Sequence, residues 1–190
     1  MTRKIVYSSA FIALVAVKTL TILSISRPAW LSFESPLLPS RHLGLHQSCT
    51  TTSSTTTACR PFPTSSDCGT EDNFCAMWRT VGWLMSLATI LELAALVGIV
   101  VVMSGGKRRR EEGWGVVAGL LAAVAVVLLG GMGVVAYLFD NHSRFAVPGW
   151  RLDTSWILCT VSGTVVVLCA VGVAVSAYVL PPEDGYEFLA

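Results

Sequence analysis

Two ionisable residues stand where ionisable residues are costly: Lys18 lies in the apolar run 5–26 and Glu92 in the run 81–103. A charge among lipid tails costs a few kcal/mol unless it is paired or reaches water. Three chemistries follow. The two side chains can form an inter-helix ion pair that fixes how their segments pack. Lys18 can instead snorkel outward while Glu92 takes up a proton. Or both can line an ion or proton path, although a path calls for more than two polar residues. At about 1.5 Å of rise per residue, Lys18 lies roughly 12 Å and Glu92 roughly 17 Å from the outer ends of their runs, a gap that a lysine side chain can bridge.

Cysteine supplies the second chemistry. Cys49, Cys59, Cys68 and Cys75 share the segment 27–80. In an oxidising compartment they can form two disulfides in any of three pairings, of which Cys49 with Cys59 and Cys68 with Cys75 is the most local. A zinc site needs closer paired spacing, and His42 and His46 read as solvated loop residues, so no metal is expected. Cys159 and Cys169 lie in an apolar run and read as small packing residues that stay reduced. His42, His46 and His142 all fall outside the apolar runs, and neither G-x-S-x-G nor H-E-x-x-H occurs. With no cluster of acid, base and nucleophile, neither an enzyme nor a cofactor is expected.

The elements that carry these residues follow from composition. The chain has 190 residues, 53% hydrophobic and 13% charged, which excludes an ordinary soluble domain. A net charge of +1, from 13 basic and 12 acidic residues, gives no basic field and no expected nucleic-acid partner. The runs 5–26, 81–103, 114–139 and 154–180 are each long enough to cross a hydrocarbon core of roughly 30 Å. Backbone groups in lipid must bond within their own segment, so each run is read as a helix and the fold class as an all-α membrane bundle of four transmembrane helices. Trp30, Trp78, Trp83, Trp114, Trp150 and Trp156 fall at or near run ends, where an amphipathic ring prefers the interface. Pro181 and Pro182 stop the fourth helix.

Arg3 and Lys4 flank the first run, and Lys107-Arg108-Arg109-Arg110 joins the second to the third. The positive-inside tendency puts 1–4, the basic loop 104–113 and the tail 181–190 in the cytoplasm, with 27–80 and 140–153 outside. The first run, ending in Ser24-Ile25-Ser26, also has signal-peptide features, but its length and Lys18 favour a retained span.

Several smaller signals remain. The stretch from Thr50 to Ala58 is hydroxyl-rich and β-branched, and suits either a disulfide-closed hairpin or a mobile tip carrying O-linked sugars. Asn141-His142-Ser143 matches the N-glycosylation pattern, close against the third run. Gly115 and Gly119 form a G-x-x-x-G pair, followed by Gly130, Gly131, Gly133, Gly172 and Ser176; close helix contacts inside one bundle explain them better than dimerisation. Tyr186 and Leu189 fit a Y-x-x-Φ sorting signal, in keeping with a route through the secretory pathway to the plasma membrane.

Trp30, then Gly44-Leu45, then Cys49 and Cys59, with Arg79 ahead of the second run, together resemble the W…G-L-W…C…C signature of the claudin and peripheral-myelin-protein superfamily. The layout is similar too: four runs, a long first outer segment, a short second one and a basic inner connection. His46 stands at the third signature position, and Cys68 and Cys75 are an additional pair. The likeness is therefore to a distant claudin-like protein, such as those of fungal cortical-domain and pH-sensing membrane families. The resemblance implies a left-handed four-helix bundle with a small extracellular antiparallel β-sheet. In it, Trp30, Gly44 and Leu45 anchor the sheet to the bundle, and a Cys49–Cys59 bond staples two strands. The expected function is non-enzymatic: organising membrane domains or cell-surface contacts, including adhesion, with the lipid bilayer, other membrane proteins or further copies of the chain as partners. The alternative is a channel, transporter subunit or pH sensor that uses Lys18 and Glu92.

Overall fold

The computed structural model describes residues 2–35, 39–53, 56–68 and 73–180. Four long apolar runs become helices: α1 (Thr2–Ser26), α2 (Phe74–Ser104), α4 (Trp114–Asn141) and α5 (Thr154–Val179), with a short α3 (Gly106–Glu112) between the second and third. Each of the four is long and apolar enough to cross a membrane. They close into a ring in which α1 packs on α2 and α5, and α4 packs on the same two.

Positions three, four and seven apart turn inward, as the helical period requires. Leu14, Val17 and Thr21 of α1 meet Val81, Met85, Ala88 and Ile99 of α2, Leu121 and Leu128 of α4, and Cys159 and Val166 of α5, all fully buried or nearly so. The outward faces are just as apolar: Ile12, Ile90, Val126 and Leu168 are each well exposed.

Two stretches depart from the sequence reading. Helix α2 begins at Phe74 rather than at Val81, because its first turn is held by a Cys68–Cys75 bond and by Phe74 and Trp78, stacked on each other and packed edge-on or tilted against Phe62. The connection 104–113, expected as a loop, is largely the helix α3. The chain reverses at Gly106, whose φ of +80° an L side chain rarely adopts.

The sheet has five antiparallel strands: β1 (Leu31–Phe33), β2 (Ser40–Leu43), β3 (Gln47–Ser53), β4 (Thr56–Pro61) and β5 (Trp150–Leu152), in the order β4-β3-β2-β1-β5. The fifth comes from the short second segment, which the sequence reading left without a strand. The threonine-rich stretch forms the β3–β4 hairpin, with Cys49 directly opposite Cys59. Register puts Thr50, Arg41, Phe33 and Trp150 in one row across four strands, on one face. Cys49, His42, Ser32 and Arg151 form the next row, on the other face.

The sheet joins the bundle where α1 ends and α5 begins: the Asp153 N–H donates to the Trp30 carbonyl at 3.0 Å and the Ser155 N–H to the Ala29 carbonyl at 2.9 Å. Basic α3 sits at the opposite end, where the Tyr7 hydroxyl on α1 donates to the Arg110 carbonyl at 3.2 Å.

Candidate functional site

Inside the bundle, α1 and α2 bring four polar groups together. The Lys18 ammonium donates to the Thr89 carbonyl and lies 3.8 Å from Glu92 Oε2. The Thr21 hydroxyl is 2.7 Å from Glu92 Oε1 and 3.0 Å from the Val17 carbonyl; with one proton it serves either acceptor or shares it between them. The Glu92 side chain is 0% exposed and that of Lys18 21%. Glu92 Oε2 accepts no hydrogen bond, so the ammonium is its compensation. Such a cluster can lock two helices in register, or hold a proton on the open carboxylate oxygen. Sequence reasoning missed Thr21, although it lies three positions from Lys18 on the same helix, where side chains share a face; Thr89 enters only through its backbone carbonyl, its hydroxyl donating to the Ser86 carbonyl.

Trp30, Gly44 and Leu45 lie at the sheet–bundle junction. Trp30 is fully buried; its indole N–H donates to the Ser24 carbonyl at 2.8 Å, and its backbone N–H donates to Leu43 at 2.9 Å. A Cβ at Gly44 would lie 2.6 Å from Pro28 Cα, so only glycine lets the two backbones pass there. Leu45 is buried in the core beside them. Cys49 and Cys59 are bonded, and Cys68 is bonded to Cys75. Arg79 is exposed and, with His46, borders a cavity of about 320 Å³ between the β3–β4 base and α2.

Two carboxylates order the rest of this end. Burial disfavours the charged form of Asp67, but hydrogen bonds from the Thr64 hydroxyl and N–H and from Arg60 outweigh it and hold the carboxyl below its ordinary range. Asp153 caps α5 by accepting from the Thr154 N–H at 2.6 Å. Burial again works against its charge, and the bonds from Thr154 and Ser32, with His42 at 3.7 Å, lower it nonetheless.

Other expected positions fall elsewhere. Trp30 and Trp78 are buried rather than placed at an exposed interfacial rim; Trp83 is well exposed. Gly115 and Gly119 face open space, as do Gly130, Gly133 and Gly172, so they do not serve close packing inside the bundle; Gly131, beside Met85, does. Asn141 ends α4 and donates to the Tyr137 carbonyl at 3.0 Å. Cys159 is buried and free, and Cys169 is partly buried and free. Tyr186 and Leu189 lie outside the described residues. Among the described residues no group of three His, Cys, Asp or Glu could hold a metal ion.

No protein-family model matches this chain, and no curated protein matches it.

Proposed function

We propose that this chain is an integral membrane protein of claudin-like layout, which crosses the bilayer four times and carries its disulfide-bonded sheet on the outer side. The observation behind this reading is the exposed apolar surface: Ile12, Ile22, Ile90, Leu93, Val126, Leu168 and Val175 stand outward on all four long helices. A bundle apolar both inside and outside is insoluble in water and suited to lipid. Two disulfides at the sheet end favour an oxidising compartment there. Basic α3 at the opposite end favours the cytoplasm for that side. The secretory pathway and the plasma membrane are the corresponding location.

The function is non-enzymatic: organising membrane domains or cell-surface contacts through the sheet and through lateral association with other membrane proteins or further copies. Lys18 and Glu92 then act as a lock between α1 and α2. A second reading, channel or pH sensor, draws on the open Oε2 lone pairs of Glu92.

Reconstitution into vesicles separates the two. An organising protein clusters labelled copies or tethers vesicles, depends on the disulfides, and shows background ion and proton flux both as wild type and as Glu92→Gln. Flux that responds to pH and disappears in correctly folded Glu92→Gln would replace the first reading with the second.

A further inference from the structure

The register row Thr50, Arg41, Phe33 and Trp150 forms one wall of a cleft. Asp67, Phe74, Arg144 and Phe145, from outside the sheet, complete its lining. The cleft has two lobes of about 390 and 380 Å³ that share Arg41, Arg144 and Trp150. Each lobe alone is in the size range of small-ligand sites.

Among the described residues its charge is unbalanced. Arg60 is neutralised by Asp67, at 2.5 Å, and the other Asp67 oxygen accepts from Thr64. Arg144 gives one N–H to the Asp67 backbone carbonyl and lies 4.9 Å from the Phe74 ring centre. Among the described residues neither Arg144 nor Arg41 has a carboxylate partner. Between these two cations lies an aromatic floor, where Trp150 is 5.2 Å from both Phe33 and Phe145, centre to centre. The contrast with the other face of the sheet is direct: Arg151 there is paired with Glu34 at 2.6 Å.

We infer that this cleft is a binding site for a carboxylate attached to a flat apolar group. The carboxylate takes the fork of Arg41 and Arg144, which a guanidinium matches with paired hydrogen bonds. The ring lies against Phe33 and Trp150. The groups that would touch the ligand, Arg41, Phe33, Trp150 and Arg144, belong to the sheet and its facing loop, so the site stands whether or not the bundle organises membranes.

The test uses the full chain in detergent with two probes, N-acetyltyrosine and its amide, followed by ligand-observed NMR against empty micelles. The acid should bind saturably and roughly tenfold more tightly than the amide at low salt, and added salt should weaken it. Arg41→Gln should weaken the acid at least about threefold, because among the described residues that side chain has no ion-pair or hydrogen-bond partner to lose. Arg144→Gln should do the same, and Arg151→Gln should leave binding unchanged. Equal binding of acid and amide, no saturable binding, or equal losses from Arg41→Gln and Arg151→Gln would overturn the assignment. Should Arg144→Gln fail to fold, Arg41→Gln alone decides.

Discussion

Removing the ammonium from the Lys18–Glu92 pair is the sharpest perturbation of the bundle. In Lys18→Met the Glu92 carboxylate stays fully buried, its Oε1 still facing Thr21 and its Oε2 left with nothing. Breaking a buried pair from one side costs about 3–5 kcal/mol, and the low end, about 3, applies because Lys18 itself is 21% exposed. The reverse change, Glu92→Met, leaves a lysine that keeps the Thr89 carbonyl and its path to the surface, so about 1–2 kcal/mol is expected. The double variant removes both the charge and the need for it, and should fall within about 1 kcal/mol of the parent. The coupling between the positions is then about 3 kcal/mol or more. Cys159 is a buried free thiol in the bundle. Its reaction with a maleimide, in a Cys169→Ala background, reports unfolding in micelles as heat or SDS is raised. Costs that add to within about 0.5 kcal/mol, or a greater loss in Glu92→Met than in Lys18→Met, would refute the reasoning.

Gly44→Ala should destabilise the sheet junction by about 2 kcal/mol or more, read by the same thiol assay, since its Cβ would meet Pro28 backbone rather than a movable side chain. Gly131→Val should cost about 2 kcal/mol against Met85, whereas Gly119→Ala, facing open space inside a helix, should stabilise by about 0.5–1 kcal/mol. Replacing Cys49 and Cys59 by serine opens a loop of sequence separation 10 and should cost about 3 kcal/mol, measured as the shift in unfolding midpoint of the sheet end by hydrogen exchange. Asp67 and Asp153 are both held below their ordinary carboxyl range. They therefore stabilise the folded sheet end above about pH 4 and lose that contribution as pH falls through their lowered values. Hydrogen exchange should find acid loosening of the 64–68 turn and the α5 start, with Asp67→Asn and Asp153→Asn already loosened at neutral pH.

The long helices were legible because each apolar run is long enough to span a bilayer, where backbone groups must bond within the segment, so even the glycines inside the third and fourth runs do not end them. Ends were less so: Phe74 to Thr80 carries Arg79 and reads as loop, yet the Cys68–Cys75 bond and the aromatic stack on Phe62 hold it as helix. The strand of Trp150 to Leu152 left no signal, since three residues show no periodicity and its partner is distant in sequence. Lys18 and Glu92 stood out by charge alone, but Thr21 is a common residue and the Thr89 carbonyl a backbone group, and both act only across a helix pair. Glycine spacing misled, because G-x-x-x-G states that a close approach is permitted, not which way that face of α4 turns. The two arginines of the cleft at the sheet end, Arg41 and Arg144, come from segments distant in sequence that meet only through strand register.

A four-span topology with the sheet outside fixes which loops meet the cell exterior. Single cysteines at Ala146, exposed beside β5, and at Glu112, exposed at the end of α3, can be labelled with a membrane-impermeant maleimide in intact cells and again after permeabilisation. Ala146→Cys should label in intact cells and Glu112→Cys only after permeabilisation. Labelling of Glu112→Cys in intact cells, or of both positions alike, would contradict this topology.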